Sequence, residues 1–138
     1  MNPIHISADV QVSPERAWQC YTQPEHIIGW NFADTSWCCP WAENDLKVGG
    51  AYTARMEAKD GSFGFDFTGI YDHVESGKLL AYHLPDNRKI EVRFIPTSGG
   101  FCRVETDFDP ESENPREMQE AGWQMILNNF KAYCERTL

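Results

Sequence analysis

The stretch from Ala121 to Tyr133 (AGWQMILNNFKAY) constrains the fold more than any other part of this 138-residue chain. It reads as a long helix, the last element, apolar around much of its circumference. A helix that is apolar nearly all round is normally enclosed by other elements. Gly122 lies in its interior, where glycine costs about 1 kcal/mol relative to alanine. A close neighbour or a bound molecule is therefore expected beside that turn. The pattern predicts a helix laid across a curved sheet, with space for a small molecule between them.

The rest of the chain supplies such a sheet. Residues 2–12 (NPIHISADVQV) alternate as an opening strand. Ser13-Pro14-Glu15 then starts a helix, with Ser13 as N-cap, Pro14 in the first turn and an acid beside it. Ala17, Trp18 and Tyr21 form its buried side. Gln23-Pro24-Glu25 repeats the start signal for a second short helix ending near Gly29. Six strand-like segments follow, near 35–43, 50–58, 63–74, 78–84, 89–96 and 101–108. Gly49-Gly50, Asp60-Gly61, Ser76-Gly77, Pro85-Asp86-Asn87 and Ser98-Gly99-Gly100 separate them, which are turn signals of hairpin type. The last helix is expected to open with Asn114 as N-cap, Pro115 next and Glu117 at the capping-box position.

Composition narrows the partners. Net charge is −9, from 21 acidic and 12 basic residues. No basic cluster exists, which disfavours nucleic acid and anionic membranes as partners. Hydrophobic residues make up 41% and aromatics 13% of the chain, far from a disordered composition. Met1 to His5 has neither the basic start nor the apolar run of a leader, and no segment approaches the roughly 18 apolar residues of a membrane span. The five cysteines lack disulfide-scaffold or zinc spacings and read as reduced thiols. A cytoplasmic location is expected.

The order strand, two short helices, six antiparallel strands and long helix makes an α+β fold. Val12-Ser13-Pro14-Glu15-Arg16-Ala17-Trp18, Trp30, Asp45-Leu46-Lys47-Val48-Gly49-Gly50, Gly69-Ile70-Tyr71 and Gly122-Trp123 add landmarks in a fixed order. On them the chain resembles the START/birch-pollen-allergen (SRPBCC) superfamily. Within it, the branch is similar to the C-terminal domain of the activator of the ninety-kilodalton heat-shock ATPase. The resemblance runs from about residue 4 to 135. It implies a helix-grip fold, a sheet of about seven strands wrapped around the C-terminal helix, and an internal cavity. It implies no single activity, since one fold hosts many functions.

Strand parity locates the cavity, because alternate side chains share a face. Phe65, Phe67 and Tyr71 are expected inside, with Asp66 and Thr68 outside. Tyr52, Ala54 and Met56 oppose Thr53, Arg55 and Glu57, and Ile90, Val92 and Phe94 oppose Glu91 and Arg93. Odd positions group Trp37, Cys39 and Trp41, and Trp30, Trp37 and Trp41 are placed at the mouth, where an indole can stack on a ligand and orient it. On the last helix Met118, Gly122, Met125 and Asn129 share one stripe, and Trp123, Ile126, Leu127 and Phe130 an adjacent one. The first stripe is taken as the ligand-facing one. Asn129 is its polar member, with a solvent-facing or backbone-bonded amide as the alternative. Parity fails at bulges, and Gly64, Gly69 and Pro40 are candidate sites for them.

Catalytic patterns are thin. The histidines show no metal-ligand spacing, and His26 near the mouth is the one acid–base candidate. Cys38 and Cys39 with His26 make three ligands of a metal site without a fourth. No phosphate loop is present, and no catalytic residue, metal or cofactor is assigned. The chain is thus expected to form one helix-grip domain over 1–138 that binds a hydrophobic small molecule, as a monomer or homodimer. Its site residues are Trp30, Trp37, Trp41, Tyr52, Met56, Phe65, Phe67, Tyr71, Phe94, Met118, Gly122, Met125 and Asn129. A chaperone-binding module and a polyketide-cyclase-like enzyme, using Asn129 with Tyr71 or Tyr52, are the alternatives.

Overall fold

Ser13 caps the first helix as its position implies. Its hydroxyl accepts the Arg16 N–H at 3.2 Å, with Pro14 in the first turn. This helix, α1 (Pro14–Thr22), buries Ala17, Trp18, Cys20 and Thr22, and the single-turn α2 (Pro24–Ile27) follows directly. The computed structural model describes residues 2–137. Met1 and Leu138, the two ends of the expected 1–138 domain, lie outside the described residues.

Eight strands form one antiparallel sheet: β1 (Ile4–Val10), β2 (Trp37–Cys38), β3 (Ala42–Asn44), β4 (Ala51–Ala58), β5 (Gly64–Glu75), β6 (Leu79–His83), β7 (Lys89–Pro96) and β8 (Cys102–Phe108). The order is β1-β8-β7-β6-β5-β4-β2, with β3 also on β4. The helix-grip architecture read from the sequence is what the chain adopts. Eight strands replace the expected seven because the segment 35–43 breaks in two. Pro40 has no N–H for the ladder and interrupts it. β2 and β3 then pair with opposite ends of β4, while the Trp41 carbonyl between them accepts the Arg55 N–H at 3.0 Å.

The register slips in one place that the glycines did not mark. Between β5 and β6 it shifts between Tyr71 and His73. Asp72 is left facing solvent, and Tyr71 and Val74 fall on the same side of the sheet as their partners Tyr82 and Leu80. Gly69 makes room instead of a bulge. A Cβ there would lie 2.6 Å from the Tyr82 ring. Only a residue without a side chain lets that ring lie across β5.

The long helix α3 spans Arg116–Arg136. Its start corrects the expected cap. Pro115 holds the N-cap position and no side chain caps it, which leaves Asn114 one residue outside. Gln119 ties down the approach to the helix, accepting the Glu111 N–H at 2.9 Å and donating to the carbonyls of Glu111 and Asn114. The helix is also less enclosed than its composition suggests. Leu127, Phe130 and Cys134 are buried, whereas Met118 is 60% and Met125 43% exposed. A Cβ on Gly122 would meet nothing within 4 Å, so no neighbour requires that glycine.

Candidate functional site

A partly enclosed cavity of about 290 Å³ lies between the sheet and α3. The strands wall it with their inward positions: Ile6 of β1, Tyr52 and Met56 of β4, Phe65, Phe67 and Tyr71 of β5, Leu80 and Tyr82 of β6, and Thr106 of β8. Trp123, Ile126 and Leu127 of α3 form the roof. Tyr21 of α1 with Trp30 and Asn31 after α2 close one side, and Arg88 lies at the rim. Trp123 is held rigidly, stacked on Phe108 with centroids 4.0 Å apart and edge-on to Phe67 at 6.1 Å.

Four of the eight rings around the space are tyrosines, held by their tips or packed edge to face. Asn31 Nδ2 donates to the Tyr52 hydroxyl at 2.9 Å, and the Tyr71 hydroxyl donates to Asn44 Oδ1 at 2.8 Å. Tyr82 packs edge-on against both Tyr52 and Tyr71. Burial, which penalises a phenolate, pushes the Tyr71 hydroxyl up to about 12 and holds those of Tyr21, Tyr52 and Tyr82 well above 10. Each is thus a neutral hydrogen-bonding group at ordinary pH, lining a space whose other walls are mainly apolar.

Of the residues expected at the site, Trp30, Tyr52, Met56, Phe65, Phe67 and Tyr71 line this cavity. The others do not. Phe94 points inward but packs edge-on to Trp18 and Tyr21 in solid core. Trp37 meets Phe63 and Phe65 at the sheet's outer corner. Trp41 is 42% exposed, because the chain turns at Pro40 and parity does not carry across. Trp30 does line the space, but its indole N–H is already given to the Cys20 carbonyl at 2.9 Å. The helix stripe is out by one position, about 100° of rotation. Met118, Gly122, Met125 and Asn129 stand aside, and Trp123, Ile126 and Leu127 face the cavity. The Asn129 amide donates to the Phe32 carbonyl, so no Asn129–Tyr71 or Asn129–Tyr52 pair exists. The missed wall residues Leu80, Tyr82 and Thr106 have the same inward parity as their neighbours. That rule, extended to β6 and β8, would have found them.

The far end of α3 is sealed. Phe130 is fully buried against Tyr21 and Trp30, with centroids 5.2 Å away in each case. His26, expected at the mouth, lies here instead, its Nδ1 2.8 Å from the Tyr133 hydroxyl. Cys20 and Cys134 are both buried there, and their mutual interaction lowers the ionisation of the Cys20 thiol and raises that of Cys134. Among the described residues no three His, Cys, Asp or Glu side chains stand together as metal ligands. A second, larger space of about 710 Å³ lies outside, between α1 and the β6–β7 strands. It is an open trough rimmed by Glu15, Glu75, Lys78, Glu91 and Arg93, and lacks the walls to desolvate a ligand.

A curved antiparallel sheet gripping a long C-terminal helix, with a cavity between them, defines a START-like domain of the SRPBCC superfamily. The chain belongs to the family described as Activator of Hsp90 ATPase homolog 1-like protein, which matches residues 11–135. An AHSA1-like protein from Aeromonas hydrophila, solved in solution, is 39% identical, with 98% of this chain and 93% of that one covered at a TM-score of 0.91. A protein from Cytophaga hutchinsonii is 43% identical over 99% of this chain and 94% of its own, at a TM-score of 0.83. A Nitrosomonas europaea protein shares the fold at 18% identity, with 99% and 96% covered and a TM-score of 0.83. Among curated proteins none matches the chain. No helix among the described residues is long and apolar enough to cross a membrane.

Proposed function

We propose that the chain acts as one domain over 1–138 that binds and sequesters a small apolar or aromatic compound in the cavity beneath α3. One observation carries this reading: a partly enclosed space of about 290 Å³ lies between the sheet and α3. Protein interiors rarely keep voids of that size. A dry apolar cavity of about 150 Å³ accepts one benzene, so this one suits a compound of about two rings. Binding would draw on apolar burial at about 25 cal/mol per Å². Native mass spectrometry of gently purified protein tests it, followed by titration with naphthalene. The expected result is a discrete adduct, or saturable one-to-one uptake. A bare chain that takes up no naphthalene would overturn the reading.

A second reading rests on an exposed aromatic patch that shares Phe65 with the cavity wall. Phe63 (61% exposed), Trp41 and Phe65 are exposed, and Trp37, Phe63 and Phe65 pack as one aromatic cluster. Such a patch suits a protein partner, and the family description points to an Hsp90-type ATPase. Stimulation of a chaperone ATPase that disappears in Phe63→Ser, with naphthalene uptake unchanged, would favour it. Absence of any stimulation would remove it.

A further inference from the structure

The cavity is not uniformly apolar, and its polar atoms are of two kinds. The hydroxyls of Tyr52 and Tyr71 are fixed by Asn31 and Asn44. Those of Tyr21, Tyr82 and Thr106 have no hydrogen-bond partner among the described residues. Tyr82 is 5% and Thr106 2% exposed. No polar side-chain atom among the described residues is both sealed from contact and unpartnered, so these hydroxyls reach the space they line. Each can therefore give its hydrogen to whatever fills that space, and a bound acceptor there makes a hydrogen bond that an apolar group of the same shape forfeits. That acceptor has room to come from outside. Tyr21 of α1 and Tyr82 of β6 line the same cavity.

We propose that the cavity selects a neutral ligand of about two rings bearing a carbonyl-type oxygen, which accepts hydrogen bonds from Tyr21 and Tyr82 with Thr106 alongside. This inference rests on the reading of the cavity as a ligand site. A carbonyl oxygen fits because its two lone pairs accept from both phenols at once. A carboxylate does not fit, because burying a charge demands a partner of opposite sign. Arg88 is the single cation among the lining residues, and its Nε is held by Asp86 at 2.7 Å. Gly69 belongs to the same device, since it is what allows the Tyr82 ring to lie over β5.

Three probes of one shape separate the possibilities: 2-acetylnaphthalene, 2-isopropenylnaphthalene, in which a CH₂ replaces the carbonyl oxygen, and 2-naphthoate. Each is titrated calorimetrically into the full chain, the Tyr21→Phe variant and the Tyr82→Phe variant. Near-ultraviolet circular dichroism confirms that the variants keep the fold. The wild-type chain is expected to bind the ketone about tenfold more tightly than the alkene, the size of two net hydrogen bonds. Each variant is expected to narrow that ratio to about threefold while leaving the alkene's affinity within about twofold. Equal binding of ketone and alkene overturns the carbonyl inference and leaves the ligand-site reading standing. Tightest binding by 2-naphthoate overturns it in favour of an anion. Failure of all three to bind the folded wild-type chain overturns both.

Discussion

Toward its C-terminus α3 presses Phe130 and Cys134 into a region with no space left, whereas from Trp123 to Leu127 the same helix roofs a cavity of about 290 Å³. The difference lies in what stands opposite. At the sealed end α1 inserts Trp18 and Tyr21 beside Phe94, and the rings interlock edge to face. At the other end the sheet faces the helix directly. Its large side chains there include three tyrosines, two of them anchored by amides whose hydrogen bonds hold them upright. Moving their polar tips against an apolar roof would forfeit those bonds. A void persists where the groups that should fill it are tied elsewhere.

The largest expected effect that tests this contrast is alkaline unfolding. All five tyrosines have their ionisation held above the ordinary value of 10, chiefly by burial. Because the folded-state pKa is the raised one, this contribution to stability is complete below the unfolded value and is lost as pH rises through it. The slope is about 1.4 kcal/mol per pH unit for each buried phenol. Tyrosinate absorbance should therefore appear together with loss of the fold. Phenols titrating near pH 10 in the intact fold would mean that the cavity is open to water and that the two ends do not differ as described.

Phe130→Ala removes a fully buried ring from the sealed end and should cost about 3–5 kcal/mol in urea denaturation. Adding volume should then divide the two ends. Ala17→Leu has no room to expand and should cost about 1–3 kcal/mol. Ile126→Phe grows into the cavity and should change stability by less than about 1 kcal/mol while abolishing naphthalene uptake. Similar costs for both substitutions would erase the comparison. The smallest effect is a gain. Gly122→Ala meets open space and should stabilise the protein by up to about 1 kcal/mol, read as a rise in Tm. A loss there would restore the close neighbour first expected beside that turn.

The architecture was legible because its signals are local. Turn glycines, the Ser13 cap and strand alternation each act over a few residues, and together they specify a meander between helices. The floor of the cavity was legible on the same grounds, through Tyr52, Met56, Phe67 and Tyr71. The roof was not. Trp123, Ile126 and Leu127 differ from Met118, Met125 and Asn129 only by a rotation of the helix, and that rotation is set by Trp123 stacking on Phe108, a contact made only in the folded chain. Trp37 and Trp41 were misplaced because Pro40 breaks the strand that parity assumes. The unpartnered state of Tyr21 and Tyr82 depends on how α1 packs against the sheet that holds β6, which no spacing in the chain encodes.

The pairing of β1 with β8 sets Ile4 opposite Phe108, with α3 packed across β1. The strand made first thus has its sheet partner only after some hundred further residues have been synthesised. Closing a loop of that length carries an entropic penalty that local hairpins avoid, and such long-range pairing slows folding. The meander from β4 to β8 can form as a run of neighbouring hairpins while the N-terminal strand waits. On a ribosome the cavity therefore comes into being last, when β8 captures β1 and α3 emerges to cover it.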